Sequence, residues 1–250
     1  MYTFENLHRL GKYELLDIVS INSIVCIILF FWYENRIMKI VIVANGTLSE
    51  ADGLLPRIQQ ADMVIAADGG AVHLHHMGIV PRIIIGDLDS IPKELLLFFE
   101  KKQVKILKHP VRKDQTDMEL CMEYAVDHGC TDLLIMGATS TRLDHTLANI
   151  FLLRRLAAKG IPVTILDAHN DIHIVVSRLT LTGHPGDLIS VIPVSDHVKG
   201  LTLEGLEYPL TDKNLCMGST MGISNVFTQD KASISLKSGG VLVIKPKEEN

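Results

Sequence analysis

The sequence of 250 residues has no excess of positive charge, no paired cysteines and neither of the common nucleotide-binding loops. Twenty-four basic residues against 29 acidic ones give a formal net charge of -5 and a pI near 6.1. No basic field of the kind that draws duplex nucleic acid is present, and nucleic acid is excluded as the default partner. Cys26, Cys121, Cys130 and Cys216 are scattered and form no CxxC, which excludes a disulfide scaffold and fits a reducing, cytoplasmic compartment. Cys121 and Cys130 read as small buried hydrophobes rather than nucleophiles. Neither GxxxxGK[ST] nor GxGxxG occurs, which speaks against a Walker-type NTPase and a dinucleotide enzyme. His73, His75 and His76 fall in one predicted helix without an acidic or Cys partner at ligand spacing, so zinc is not expected there.

An uncharged run long enough to span a bilayer is missing as well. Residues 18–33 are sixteen uncharged residues interrupted by Ser20, Asn22 and Ser23, short of the ~20 that a spanning helix needs. No small-residue cleavage site follows. The segment holds Trp32, the only tryptophan, and with Phe4 it accounts, through Phe30 and Phe31, for three of the seven phenylalanines, a bias that stops at Met38. Residues 1–37 are read as an extension outside the chemistry, with the native start at Met38. The alternatives are a membrane-proximal anchor and a packed N-terminal helix, and membrane contact is expected only if the extension is real.

What the chain does have, at 47% hydrophobic residues, is a core large enough for one or two domains and a regular alternation of elements. Short Ile/Val-rich runs at 39–45, 63–68, 82–87, 104–107, 133–138 and 162–167 read as strands buried on both faces. Helical patterns separate them at 51–60, 70–77, 92–102, 117–128 and 145–159, the last with an apolar stripe of Leu147, Ile150, Phe151 and Leu153. Such alternation predicts a Rossmann-like α/β domain, a parallel sheet flanked by helices, over residues 38–170. From 171 to 250 only short β-type segments between Gly, Pro, Asp and Asn turns remain, which predicts a small all-β, sandwich-like domain.

In an open parallel sheet the C-terminal strand ends share one edge, and ligands bind there. Onto that edge the sequence places Asn45-Gly46, Asp68-Gly69-Gly70, the segment GDLDS (86–90), KDQTD (113–117), and Gly137 with Arg142-Leu143-Asp144-His145. Turn chemistry and helix capping explain each motif taken singly: Thr116 with Glu119 is a capping-box pattern. They do not explain why Asp68, Asp87, Asp89, Asp114 and Asp117 are brought to one mouth. Carboxylates so clustered repel one another unless a cation joins them, and Mg2+ takes carboxylate oxygens while keeping places for phosphate. Lys113 and Arg142 are the expected phosphate partners, and the set is suited to phosphoryl or nucleotidyl transfer.

Five motifs in order, ADGG (67–70), GDLDS (86–90), KDQTD (113–117), GATSTRLDH (137–145) and GISN (222–225), resemble thiamine pyrophosphokinases from Met38 to about Pro246. The resemblance implies an enzyme that transfers diphosphate from ATP to thiamine with Mg2+, giving thiamine diphosphate and AMP. It implies a homodimer with active sites at the interface, and a β-rich C-terminal part that binds thiamine. Carried over by position, Asp87, Asp89, Asp114 and Asp117 organise magnesium and the triphosphate. Asp68, Gly69, Gly70, Lys113, Gln115, Thr116, Arg142 and His145 line the nucleotide and phosphates, and Ser224 and Asn225 hold thiamine. The base for the thiamine hydroxyl is sought among Asp89, Asp117 and Asp144. The chain departs from the family at Ser140-Thr141, where two glycines are usual; side chains there are expected to stiffen the loop before Arg142 or narrow the approach to phosphate. Two other classes are weighed: a membrane-anchored DxD sugar-nucleotide transferase, which explains only residues 18–33 and Asp87-Leu88-Asp89, and a non-catalytic thiamine- or nucleotide-binding protein, which the intact carboxylates oppose.

Overall fold

Strands buried on both faces organise the first part of the chain. The computed structural model describes residues 37–48, 53–112 and 114–247; the extension ahead of Ile37 and Lys113 lie outside them. In β1 (Lys39–Val43), Ile40 and Ile42 enter one hydrophobic cluster and Val41 and Val43 another, so the strand is covered on both faces. The same division recurs in β2 (Met63–Ala67), β3 (Ile83–Gly86) and β5 (Asp132–Met136). Helices α1 (Leu54–Gln59), α2 (Gly70–His76) and α3 (Lys93–Lys101) supply Leu54, Ile58, Leu74, Leu95 and Phe99 to one side. Helices α4 (Asp117–Asp127) and α5 (Leu143–Ala157) supply Met118, Cys121, Ile150 and Leu153 to the other. Each fully buried Ile or Leu here contributes about 1.5–3 kcal/mol.

With β4 (Lys105–Lys108) and β6 (Val163–Leu166), the parallel strands lie in the order β6-β5-β1-β2-β3-β4. The chain winds outward from β1 in one direction, then restarts at β5 on β1's other side, so the switch point lies between β1 and β5. The strands and helices expected over residues 38–170 are all found, with ends shifted by no more than three residues. Cys121 and Cys130 are buried as expected, and burial pushes the Cys130 thiol up to about 11.

The β-rich part is not strung on a linker. Strand β7 (Asn170–Val175) pairs antiparallel with β6, and β14 (Val241–Pro246), β9 (Leu188–Pro193) and β12 (Asn225–Val226) extend the same sheet to ten strands. A second sheet of four, β11-β10-β13-β8, is built from β8 (Arg178–Thr182), β10 (His197–Glu204), β11 (Leu210–Cys216) and β13 (Lys231–Ser235). Val175, Ile189, Val191, Val241 and Val243 of the long sheet meet Val198, Leu201, Leu203, Ala232 and Ile234 of the short one in a shared core. The expected sandwich is therefore formed by this small sheet against the antiparallel wing of the large one.

The apolar stripe expected on α5 splits. Ile150 and Leu153 are buried, but Leu147 and Phe151 are 42% and 50% exposed and line up at helical spacing with Leu143, which is 67% exposed. The helix thus has one apolar face on the core and a second one outward.

One half-buried base couples this fold to pH. Burial between β6 and β14 holds the His173 imidazole below its usual range, with Asp171 pulling weakly the other way. The unfolded chain then binds a proton that the folded chain resists, so the stabilisation is complete above about pH 6.5 and declines as pH falls. Melting followed from about pH 7.5 to about pH 5 should show a smaller drop for His173→Gln than for the unaltered chain. An equal drop would mean that other groups carry the acid sensitivity.

Candidate active site

At the switch point the backbone itself is drawn tight. Gly46 donates its N–H to Gly137 O at 2.7 Å, and a Cβ on Gly46 would lie 2.3 Å from the carbonyl oxygens of Gly137 and Thr139. Only glycine lets the loops after β1 and β5 approach this closely. Gly69 and Gly70 are buried at the start of α2, where a Cβ on Gly70 would strike Val43 O at 1.9 Å. They do not line the cleft; they close the helix onto β1.

Next to this point Asp68, Asp87 and Asp89 converge. One carboxylate oxygen from each lies within 4.8 Å of the others. Two of the turns involved are held in the left-handed region, Asp68 at φ 45° and Leu88 at φ 70°, each at a cost of about 1–3 kcal/mol. The turns are tied together: Leu88 N–H donates to Asp68 Oδ1 at 3.1 Å, and Asp89 N–H to Asp87 Oδ1 at 3.3 Å. Strain and like-charge repulsion collected at one edge of the sheet contribute nothing to stability, and such spending is typical of a working site.

The triad opens into a cleft of about 930 Å³. Its lining includes Asn45, Ser90, Gln115, Thr116, Asp117, Ser140, Arg142, Asp144 and His145. Thr116 caps α4, its hydroxyl accepting from Glu119 N–H at 3.2 Å, and Asp117 sits in the first turn. Glu119 does not complete the capping box; its carboxylate pairs with Arg155 of α5. Gln115 donates to Glu123 at 2.9 Å. Asp114 is exposed and outside the cleft lining, whereas Asp68, expected only to line the crevice, belongs to the oxygen cluster itself.

Arg142 binds Asp144 through both Nε and Nη2, at 3.3 and 2.6 Å. That hydrogen-bonded pairing holds the Asp144 carboxyl below the usual carboxylate range. Ser140 and Thr141 adopt no left-handed backbone among the described residues, so glycine is not required at either position. Ser140 instead accepts from Arg142 N–H at 3.3 Å and donates its own N–H to Thr146 Oγ at 3.1 Å, which agrees with a stiffened loop.

The GISN segment lies elsewhere. Ser224 is exposed at φ 55°, and its N–H donates to Ser190 Oγ at 3.1 Å. Asn225 is buried with its amide spent on the backbone: Oδ1 accepts from Tyr208 N–H and Val226 N–H at 2.9 Å each, and Nδ2 donates to Tyr208 O at 2.8 Å. It clamps the loop rather than presenting a free amide. A residue that the sequence reading passed over is Asp167, directly after β6 on the same sheet edge, 7% exposed and hydrogen-bonded to Thr139. The signal was present, since it closes the sixth strand pattern as Asp68 closes the second.

A doubly wound sheet with three convergent carboxylates and an arginine at its switch point defines a phosphate-handling α/β transferase. Comparison with known proteins narrows this. Residues 55–165 match the family description "Thiamin pyrophosphokinase, catalytic domain", and residues 173–241 match "Thiamin pyrophosphokinase, vitamin B1 binding domain". A thiamine pyrophosphokinase from Bacillus subtilis is 31% identical over 214 residues, 82% of this chain and 96% of that one. The crystal structure of thiamine pyrophosphokinase from Bacillus subtilis superposes with a TM-score of 0.76 at 29% identity, covering 84% of this chain and all of that one. That of the Geobacillus thermodenitrificans thiamin pyrophosphokinase gives 0.73 at 29%, with 85% and 99% covered. The chain belongs to the thiamine pyrophosphokinase family. Neither the sugar-nucleotide transferase nor the non-catalytic binding protein has support in these likenesses.

Proposed function

We propose that the chain transfers diphosphate from ATP to thiamine, giving thiamine diphosphate and AMP, with Mg2+ as its cofactor. The observation that carries this reading is the Asp68, Asp87, Asp89 cluster sharing one cleft with Arg142 in a chain of this family. The donor set is all carboxylate oxygen, which fits a hard cation and does not favour zinc or copper. Asp68, Asp87 and Asp89 are the residues to hold it, with Asp117 on the same wall. When bound, magnesium neutralises charge on the phosphate oxygens during transfer.

The chain's own residues orient the reaction. The hydroxyethyl oxygen of thiamine must meet the β-phosphorus in line with the departing AMP, and positioning with charge stabilisation does most of the work. Arg142, fixed by Asp144, presents its remaining N–H groups to phosphate, with Gln115, Thr116 and His145 on the same wall. Because Arg142 weakens Asp144 as a base, and a bound cation would weaken Asp89 in the same way, the hydroxyl proton is assigned to Asp117.

Residues 38–170 are assigned as the catalytic part and 171–250 as the thiamine-binding part of a cytoplasmic homodimer. Supporting the dimer, β12 and β2 are seven strands apart in one sheet, so Ser224 and the carboxylates of the same chain are separated by roughly 34 Å of sheet at ~4.8 Å per strand. A second copy brings its own 222–225 loop to the cleft. The outward apolar row Leu143, Leu147 and Phe151, starting at the cleft wall, is the kind of surface that such pairing covers. Among the described residues no helix is long and apolar enough to cross a membrane.

Purified protein given ATP, thiamine and Mg2+ should release AMP in step with thiamine diphosphate. Formation of ADP and thiamine monophosphate instead would overturn the diphosphate-transfer reading.

A further inference from the structure

We infer that Asp167 is a positioning residue for the reaction, acting through Thr139 to hold the loop that carries Ser140 to Arg142 at the cleft. The inference rests on the phosphate-handling reading of that cleft and extends it to a residue outside the cleft lining.

Asp167 is one of very few buried polar side chains among the described residues. Its two oxygens have different tasks. Oδ1 accepts from His169 N–H at 2.8 Å, Asn170 N–H at 2.7 Å and Asn170 Nδ2 at 3.3 Å, a local turn that an asparagine oxygen would serve equally well. Oδ2 reaches away from that turn to accept from Thr139 Oγ1 at 2.8 Å, 28 residues back in the chain. The nearby ammonium of Lys247 goes to the Asp167 backbone oxygen, at 2.6 Å. The buried carboxylate is thus satisfied by N–H and O–H donors, and the donor on its far side is the loop threonine.

Thr139 is where three segments meet. Its hydroxyl is held by Asp167, its carbonyl accepts from Thr47 N–H at 3.2 Å, and the preceding Ala138 O accepts from Asn149 Nδ2 at 2.7 Å. The loop then reaches Ser140, pinned to Thr146, and Arg142, which begins α5 and lines the cleft. Of these ties, the one to Asp167 is a side-chain bond to a charged group, and it alone reaches β6. Losing it frees the loop ahead of Arg142 without removing any group that meets phosphate.

The test uses the full chain with Thr139→Val, Thr139→Ser and Asp167→Asn. Thr139→Val keeps the shape and deletes the donor; it should raise the KM for ATP about tenfold while leaving the thiamine KM within about twofold, with the Tm lowered by only a few degrees as the buried Asp167 oxygen loses its partner. Thr139→Ser should restore the wild-type ATP KM. Trypsin cleavage after Arg142, mapped by fragment mass, should be several-fold faster in Thr139→Val than in the wild type or Thr139→Ser, with Asp167→Asn between them, since its amide N–H2 offers the threonine hydroxyl a neutral bond in place of the charged one. The effects of Thr139→Val and Asp167→Asn should not add when combined. Wild-type ATP KM and cleavage rate in Thr139→Val, failure of serine to restore them, or full additivity would each overturn the inference. Should the wild type release no AMP, the functional reading falls, and the cleavage rates still decide whether Asp167 holds the loop.

Discussion

Asp89→Asn should lower kcat at least ~100-fold, equivalent to about 2.7 kcal/mol of lost transition-state stabilisation, while leaving the fold intact. Three carboxylate oxygens within 4.8 Å of one another repel one another when ionised. Such an arrangement is held by turns in the left-handed region at Asp68 and Leu88, so removing one charge relieves the fold as it removes a ligand from the reaction. Asp89 is exposed, and the hydrogen bond it accepts, from Ser90 Oγ at 3.1 Å, survives in an asparagine. The expected pair of results is therefore a large loss of kcat with a Tm equal to or slightly above that of the wild type. A loss below tenfold with normal melting would reduce Asp89 to a turn residue and leave Asp68 and Asp87 without the role assigned to them.

How much of this was readable beforehand depends on where the information lies. The six parallel strands were legible because burial on both faces demands short unbroken Ile/Val runs such as those of β1 and β3, and little else in a sequence looks like that. The motif aspartates were legible because parallel strands deliver their C-terminal ends to one edge. Strand β11 is not legible in the sequence: of LTDKNLC only Leu215 is buried, Asp212 sits at φ 51°, and the strand is held at the sheet's edge by backbone pairing with β10. A polar edge strand has no hydrophobic period to detect. The outward half of the α5 stripe was misassigned for the opposite reason, since periodicity reports an apolar face without saying what covers it. Within the site, the grouping of Asp68 with Asp87 and Asp89, and the exposure of Asp114, follow from the left-handed turn at residue 68 and the path of the 109–116 segment. Neither is a property of residue type. Asn225 shows the same limit, because an amide that binds a ligand and one that clamps a loop have the same spacing in a sequence.

Mixing two inactive variants should restore activity if each site is built from two copies of the chain. Asp89→Asn disables the carboxylate cleft. Asn225→Ala removes the amide that ties Val226 and Tyr208 together and so releases the loop bearing Ser224; it should cut kcat/KM for thiamine about 100-fold, with part of the effect as lower stability, since buried backbone groups lose their partners. In a mixed dimer one cleft meets the altered loop and is doubly defective, while the other combines an intact cleft from one copy with an intact loop from the other. Random pairing makes half of the dimers mixed, each with one working site of two, so about a quarter of wild-type activity should return on co-expression of the variants. Sites contained within single chains predict no recovery, because every chain in the mixture carries one lesion. The strand count favours the first outcome: a loop at the β12 edge cannot touch carboxylates at β2 and β3 of its own chain without breaking the sheet between them. Sedimentation of the wild type as a monomer, together with undiminished turnover on dilution, would sink the shared-site arrangement and require thiamine to be held by residues near the cleft instead.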